Sequence, residues 1–312
     1  VIAGLGYVAG SQEWIVMTIA LAFMVGIFMI IGGISITIMQ ASVKFLSGSM
    51  HPFVITFFRA FLVLFILLPA LFFYGNKVFS TSSFKLQAIR GAIGGAGMLC
   101  VFTGLSMISL AEATTLLFTV PIFATLLSVV FLSERVGIRR WSAIIVGFLG
   151  ILVVMRPEVS FGIGYALLLC AAISWSISIL IAKKLTEKDS IISITFWQAT
   201  GCVPIAFCAS LLVWEWPSIE QILWLFGIAG LGTVGHALLY ASLKLGRVSF
   251  ILPLDYIRII WSSVLGFVLF GYLPTLQLYA GSMMIIGAAA FISYREMKIA
   301  KPLSEEPVIS DK

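Results

Sequence analysis

The chain has 312 residues, of which 61% are hydrophobic and only 10% are charged, and its formal net charge is +6. A soluble domain carries about 25% charged residues, so this chain is expected to be an integral membrane protein. The basic residues are scattered over many loops and form no stripe, which excludes a nucleic-acid-binding protein. The four cysteines fall inside apolar runs, without the spacing of metal ligands.

Apolar segments close to the length of a membrane helix, about 20 residues, follow one another along the whole chain. Most of the breaks between them carry turn-forming or charged residues. We predict ten spans, at residues 20–45, 53–74, 86–108, 112–132, 141–155, 162–182, 191–213, 222–242, 248–270 and 274–294. The polar tail after the last span is expected to be disordered.

The two halves of the chain resemble each other. Ile55–Ala60 (ITFFRA) recurs 139 residues later as Ile194–Ala199 (ITFWQA). Other matching pairs are Lys44 with Lys183, Leu46 with Leu185, Gly94 with Gly232, Gly97 with Gly235 and Leu105 with Leu243. A repeat with an odd number of spans enters the membrane from opposite sides in its two copies, which is the inverted-repeat design of secondary transporters.

We therefore predict an all-α integral membrane protein with two inverted five-helix repeats around a central cavity. The predicted divisions are an N-terminal segment (1–19), a first repeat (20–157), a second repeat (158–296) and a disordered cytoplasmic tail (297–312).

The distribution of basic residues predicts the orientation. With the amino terminus inside, 15 of the 19 Lys and Arg residues fall on the inner side. They are Lys77, Lys85, Arg90, Arg135, Arg139, Arg140, Lys183, Lys184, Lys188, Lys244 and Arg247 in the loops, and Arg295, Lys298, Lys301 and Lys312 in the tail. The outer loops hold only Lys44 and Arg156. By the positive-inside rule, both termini are expected in the cytoplasm of a bacterium, with the spans in its inner membrane.

Charges inside a span are costly, so each is a candidate for function. Arg258 lies ten residues into the ninth span, about 15 Å along its axis and close to the midplane. Asp255 lies one turn earlier on the same face, with Tyr256 beside it and Pro253 positioned to break the helix. The functional interpretation is the polar floor of a substrate cavity. The alternative is an ion pair that only satisfies itself.

Three other residues within spans are candidates for binding substrate. Arg59 lies about 10 Å from the outer end of the second span, where it either reaches substrate or snorkels to the outer headgroups. His236 is either a titratable cavity residue or a hydrogen-bonded packing residue. Trp175 is placed to stack on a planar or cationic substrate, or else it packs in the core.

Enzyme signatures are lacking: the sequence has no HExxH, no GxSxG with partner residues, no phosphate loop and no midplane carboxylate pair. We expect no catalytic residue, metal or cofactor. A membrane-embedded transferase would need longer loops than this chain has. A passive scaffold is disfavoured by the repeat and by the midplane pair of Asp255 and Arg258.

Motifs over about residues 20–296 resemble the drug/metabolite transporter superfamily, in its members with two EamA-type repeats. They are Phe57-Phe58-Arg59, Leu68-Pro69, Tyr74-Gly75, Pro121, Phe131-Leu132-Ser133-Glu134, Arg140-Trp141, Val146-Gly147-Phe148-Leu149-Gly150, Arg156-Pro157, Pro253-Leu254-Asp255-Tyr256 and Phe270-Gly271. The last pattern usually continues with Glu, where this chain has Tyr272.

This resemblance implies ten helices around a central cavity, with the fifth and tenth at the periphery. Members move amino acids, amines, nucleotide-like metabolites, vitamins or drugs, and the first repeat looks most like members that move S-adenosylmethionine or riboflavin. We hypothesise a secondary transporter that moves a small zwitterionic metabolite, resembling an amino acid or S-adenosylmethionine, by alternating access, with protons or an exchanged metabolite as coupling partner. The alternative of the same fold is a multidrug or vitamin exporter.

Overall fold

The computed structural model describes residues 11–132, 138–155, 162–245 and 252–299, and every regular element within those ranges is helical. The α-helices are α1 (Ser11–Leu46), α2 (Pro52–Ile66), α3 (Leu68–Tyr74), α4 (Phe84–Met107), α5 (Leu110–Leu117), α6 (Val120–Leu132), α7 (Ile138–Met155), α8 (Ile163–Leu185), α9 (Ile191–Ser210), α10 (Ile219–Leu245), α11 (Arg258–Phe270) and α12 (Leu276–Ile299). Short 3-10 helices cover Gly75–Val78, Leu211–Val213 and Leu252–Ile257. Most of the predicted tail, and the loop residues Arg135, Arg156 and Arg247, lie outside the described residues.

The described helices suit a bilayer. Six segments are long and apolar enough to cross it: Phe23–Leu46, Phe84–Met107, Leu110–Leu127, Ile163–Leu185, Ile191–Val213 and Ile219–Leu245. Three shorter apolar helices accompany them, at Pro52–Ile66, Trp141–Met155 and Leu276–Ile292. Large apolar side chains such as Phe72, Phe73 and Leu212 are at least 80% exposed, as expected for a surface that faces lipid. The prediction of an all-helical membrane protein is confirmed for these ranges.

Two predicted spans are interrupted where the sequence predicts no break. The span predicted at 112–132 is divided at Phe118–Thr119, between α5 and α6. Pro121 follows at the second position of α6, where its missing N–H leaves no helical hydrogen bond unmade. The span predicted at 53–74 is divided in the same way just before Pro69. Apolar composition did not reveal these breaks, because proline within an apolar run hardly lowers its hydropathy.

Loop contacts join the two halves at both ends of the bundle. At one end, Asp189 accepts hydrogen bonds of 2.7 Å from the Thr81 hydroxyl and from the Ser82 N–H. At the other end, Glu215 Oε1 accepts one of 2.7 Å from the backbone N–H of His51. We name the first the lysine end, because its loops and helix ends carry Lys77, Lys85, Lys188 and Lys244. The second is the opposite end.

Asp189 organises the lysine end as a buried anion. Burial disfavours its charged form, but hydrogen bonds from Thr81, Ser82 and Gln87 outweigh this and hold the pKa of Asp189 below its usual value. Its contribution to stability is therefore fully present above the usual pKa, and is lost only as the pH falls through the lowered one. Near neutral pH the carboxylate accepts from Gln87 Nε2 at 3.1 Å, which turns the Gln87 oxygen toward Arg90.

A lysine braces each half at one of the two ends. Lys44 Nζ in α1 donates to the carbonyl oxygens of Leu105 and Ile108 at the end of α4, at 3.0 and 2.7 Å. Lys183 Nζ in α8 donates to the Leu243 carbonyl near the end of α10, at 2.6 Å. These carbonyls lie in the last turns of their helices, where backbone acceptors lack helical partners. Lys44 with Lys183, and Leu105 with Leu243, are pairs that the sequence repeat matches.

The assignment of Arg90 to an inner loop is wrong. Arg90 lies in the second turn of α4 and is fully buried. Its guanidinium donates to the Ile194 carbonyl in α9 and to the Tyr240 hydroxyl in α10. These acceptors come from the other half of the chain, so the local sequence around Arg90 gave no sign of them.

Candidate functional site

A central cavity lies between the two halves. Its volume is about 100 Å³, which is room for several water molecules. Its wall comes from α1, α2, α4, the α5–α6 break, α8, α9, α10 and the 3-10 helix that leads into α11. All six sequence-predicted site residues line it: Arg59, Trp175, His236, Asp255, Tyr256 and Arg258.

Irregular backbone borders the cavity on two sides. Phe118, at the break between α5 and α6, lines it directly. Next to it, the segment with Pro253 forms a 3-10 helix, and Arg258 is the first residue of the α-helix that follows. The Phe118 and Tyr256 rings meet edge to face, with their centroids 5.1 Å apart. Broken helices at membrane depth occur where they line a cavity, and transporters use them to form binding sites.

The charge of Arg258 is compensated. Its Nη1 lies 2.8 Å from Asp255 Oδ2, and its Nη2 donates to Gln40 Oε1 in α1 at 3.0 Å. Its aliphatic stem packs on Gly33, where a Cβ would lie 2.9 Å from the Arg258 Cγ. The side chain of Asp255 remains 24% exposed, compared with 5% for Arg258. The pair therefore presents its carboxylate, more than its guanidinium, to the cavity.

Arg59, in contrast, is a buried cation without a counter-ion. It is 4% exposed and lines the cavity from α2. Its Nη1 donates to the Met98 sulfur at 3.2 Å, which is a weak acceptor, and its Nε has no hydrogen-bond partner. Among the residues that the structure describes, no carboxylate pairs with it. This burial does not agree with the alternative in which Arg59 snorkels to headgroups.

Gln198 occupies the position in α9 that the repeat matches to Arg59. The Arg59 guanidinium packs on Gly232 of α10, where a Cβ would lie 2.8 Å from Nη2. The Gln198 amide packs on Gly94 of α4, where a Cβ would overlap Nε2. Gly94 and Gly232 are themselves a matching pair. Sequence reasoning missed Gln198, although the recurrence of ITFFRA as ITFWQA contained the signal.

Several aromatic rings contribute to the remaining wall. His236 Nδ1 lies 2.7 Å from the Gly232 carbonyl oxygen, and because a carbonyl only accepts, this nitrogen carries the proton. The His236 ring stands edge to face with Trp175, at 6.5 Å between centroids. The Tyr256 hydroxyl, although buried, has no hydrogen-bond partner among the described residues. These groups offer a substrate flat apolar faces and a few unused polar atoms.

A family model described as the EamA-like transporter family matches residues 15–156 and 162–294, which is most of the chain in two successive units. A solved crystal structure aligns over 89% of this chain and 98% of its own, with a TM-score of 0.59 and 19% sequence identity. At that identity, the likeness shows a shared fold.

Curated relatives include transporters with different named substrates. An S-adenosylmethionine uptake transporter of Rickettsia bellii is 30% identical over 82% of this chain and 88% of its own length. One from Rickettsia prowazekii is 28% identical over 82% of this chain and 87% of its own. A riboflavin transporter of Rhizobium johnstonii is 32% identical over 67% of this chain and 70% of its own.

Proposed function

This chain belongs to the EamA-like transporter family and carries two EamA repeats, and we propose that it moves a small zwitterionic metabolite by alternating access between inverted repeats. The proposal extends the transporter function to a substrate class and a mechanism. The single observation that carries it is the cavity's charge pattern: Arg59 has no counter-ion among the described residues, and Asp255 presents a carboxylate to the same cavity.

The contacts between halves support inversion of the repeats. The loop before α9, in the second repeat, meets the loop before α4, in the first, at the lysine end. The loop before α10 meets the loop before α2 at the opposite end. In the first repeat the loop before α2 precedes the loop before α4, but their partner loops follow in the reverse order in the second repeat. Two copies with opposite orientations are expected to pair in this way. The crossed packing of Arg59 on Gly232 and of Gln198 on Gly94 has the same symmetry.

The lining supports a substrate that carries both charges and an aromatic group. A guanidinium binds a carboxylate through two parallel hydrogen bonds, so Arg59 suits the acid group of an amino-acid-like solute. Asp255 and the faces of Trp175 and Tyr256 suit an ammonium or sulfonium group and a planar ring. S-adenosylmethionine, the named substrate of two relatives, combines all of these groups. Coupling to protons or to an exchanged metabolite completes the proposed cycle.

Uptake into sealed liposomes tests the substrate class. We expect the purified protein to accumulate labelled S-adenosylmethionine, and unlabelled S-adenosylmethionine to compete. Its decarboxylated form keeps the sulfonium, the amine and the adenine but offers Arg59 no carboxylate, so we expect it to compete at least tenfold less well. Liposomes without protein are the control. Equal competition by both compounds would mean that the protein does not recognise the substrate carboxylate.

A flavin is the second candidate substrate. The aromatic and apolar share of the lining, with Phe28, Phe118 and Trp175, favours it, and one relative is named a riboflavin transporter. Riboflavin carries no carboxylate and would leave the Arg59 charge unpaired, which ranks it second. If the same liposomes take up riboflavin and S-adenosylmethionine does not inhibit this uptake, the substrate would be a flavin and not a zwitterion.

We propose that the lysine end faces the cytoplasm of a bacterium across its inner membrane, in accord with the positive-inside rule. In a cysteine-free background, an impermeant thiol reagent added to intact cells is expected to label a cysteine at Ser218, in the loop before α10. A cysteine at Lys188 should be labelled only after the cells are permeabilised. Both positions are exposed, so labelling depends only on the side of the membrane on which each cysteine lies. The reverse pattern would show that the lysine end faces outward.

A further inference from the structure

Arg90 carries a second buried charge near the cavity, outside the site described above. Its exposure is 0%, and the acceptors that the described residues provide for it are neutral. Nη1 donates to the Gln87 amide oxygen at 3.1 Å and to the Ile194 carbonyl at 3.0 Å, Nη2 donates to the Tyr240 hydroxyl at 2.7 Å, and Nε has no partner. Among the described residues, no carboxylate pairs with it. Burial of an unpaired charge is strongly unfavourable, so its presence calls for a function.

Tyr240 separates Arg90 from the cavity. Its side chain lines the cavity and is 5% exposed, and the centre of the Arg90 guanidinium lies 5.0 Å from its ring centroid. Tyr240 lies one turn beyond His236 in α10, toward the lysine end, with the two rings 6.3 Å apart. A rotation of Tyr240 away from Arg90 would therefore open the guanidinium to the cavity on its lysine side.

The surface between α4 and α9 connects Arg90 to the Arg59 site. Gln198, which lines the cavity with Arg59, packs on Gly94. One turn closer to the lysine end on both helices, Arg90 contacts Ile194. Since one turn rises about 5.4 Å, Arg90 lies about one turn below the level of Gln198. A solute leaving Arg59 toward the lysine end would meet the position that Tyr240 now occupies.

We propose that Arg90 is a second carboxylate-binding site, covered by Tyr240 in this conformation, that receives the substrate carboxylate on its way to the lysine end. The proposal rests on the zwitterionic substrate proposed above. The Tyr240 oxygen occupies the place of one carboxylate oxygen, and a charged acceptor forms a bond about twice as strong as a neutral one, so a carboxylate would displace it.

The same contact links substrate binding to opening. Arg90 belongs to the first repeat, whereas Ile194 and Tyr240 belong to the second, so the contact holds the two repeats together at the lysine end. A substrate that takes the place of the Tyr240 hydroxyl binds the open arrangement better than the closed one. That difference in affinity is what shifts a conformational equilibrium.

Two substitutions at Arg90 test the proposal, with S-adenosylmethionine as the probe. For Arg90→Gln, we expect the Kd in detergent to stay within twofold of wild type, while uptake into liposomes falls at least tenfold in kcat. Arg90→Lys keeps the charge but not the paired donors, so its kcat for uptake should lie between those of wild type and Arg90→Gln. Loss of binding and uptake in equal measure, or uptake at the wild-type rate, would overturn a site that acts after Arg59.

Tyr240→Phe keeps the ring over the guanidinium and removes only the hydroxyl. Without substrate, we expect a thiol reagent applied from the lysine end to label a cysteine at Ser178, which lines the cavity, on the order of tenfold faster than in wild type. Tyr279→Phe, at an exposed position in α12, is the matched control and should change nothing. Unchanged labelling in Tyr240→Phe would overturn the covering role of Tyr240. Because this measurement uses no substrate, a wild-type protein that binds no zwitterion would refute the proposed function alone.

Discussion

Replacement of Arg59 by glutamine is expected to weaken binding of a carboxylate-bearing substrate by about 100-fold, because removing one partner of a buried charge pair costs about 2–5 kcal/mol. The same change should leave the folded protein as stable as wild type, or more stable. Arg59 is 4% exposed, and the Met98 sulfur is the one acceptor that the described residues provide for it, so its charge opposes folding when no substrate is bound. A residue that supports function at the expense of stability behaves in this way: its removal weakens substrate binding but does not lower the stability of the folded protein.

The measurement is the Kd for S-adenosylmethionine in detergent, together with the unfolding midpoint of the unliganded protein. Arg59→Lys should bind with intermediate affinity, because lysine supplies the charge without the planar pair of donors. Lys184→Gln, which removes an exposed charge, is the matched control for net charge. A variant that unfolds at a clearly lower temperature but binds normally would assign Arg59 to the scaffold.

Replacement of Gly91 by leucine is expected to prevent folding, and replacement by alanine to destabilise the protein by about 3 kcal/mol or more. Gly91 of α4 and Gly201 of α9 face each other across the interface between the halves. A Cβ on Gly91 would lie 2.7 Å from the Gly201 Cα, and one on Gly201 would lie 2.6 Å from the Gly91 Cα. Backbone atoms cannot rotate away as a side chain can, so the two helices would have to separate.

Gly230 of α10 provides the control, because no atom lies within 4 Å of a Cβ built there. Gly230→Ala should therefore give the same monodisperse elution profile and the same unfolding midpoint as wild type, or a higher midpoint, since alanine favours helix over glycine. Gly91→Ala and Gly201→Ala should each elute as aggregated or early-melting protein. If both fold normally, the close approach of α4 and α9 is not required for the fold.

The main features of the fold could be predicted, because each depends on a local signal. Apolar runs separated by charges or turns marked most of the helices, and the rarity of charge within spans singled out Arg59, Asp255 and Arg258. The division at Phe118–Thr119 could not be found in this way. Hydropathy measures the cost of leaving water, and a short irregular turn inside an apolar run changes that cost very little.

The residues that were missed depend on partners distant in the chain. Gln40 is an ordinary polar residue until Arg258, from the other half, donates to it. Arg90 lies near the end of its span. At such a position the local sequence does not distinguish a charge in a loop, a charge that snorkels to the headgroups and a charge buried in the protein. Its burial is decided by Tyr240, 150 positions away. Such roles become visible only when the helices are assembled.

The lysine braces have a mechanical consequence. Lys44 and Lys183 each join the first helix of a repeat to the end of its third helix, and neither bond crosses between repeats. Each bond thereby stiffens one repeat internally, and the two lysines lie at different ends of the bundle. At the opposite end, Lys44 also contacts the second repeat, because the ring centroids of Phe270 and Tyr272 lie 5.7 and 5.5 Å from its nitrogen. Substitutions around either lysine are therefore expected to change how easily one end of the bundle opens and to leave the other end unchanged.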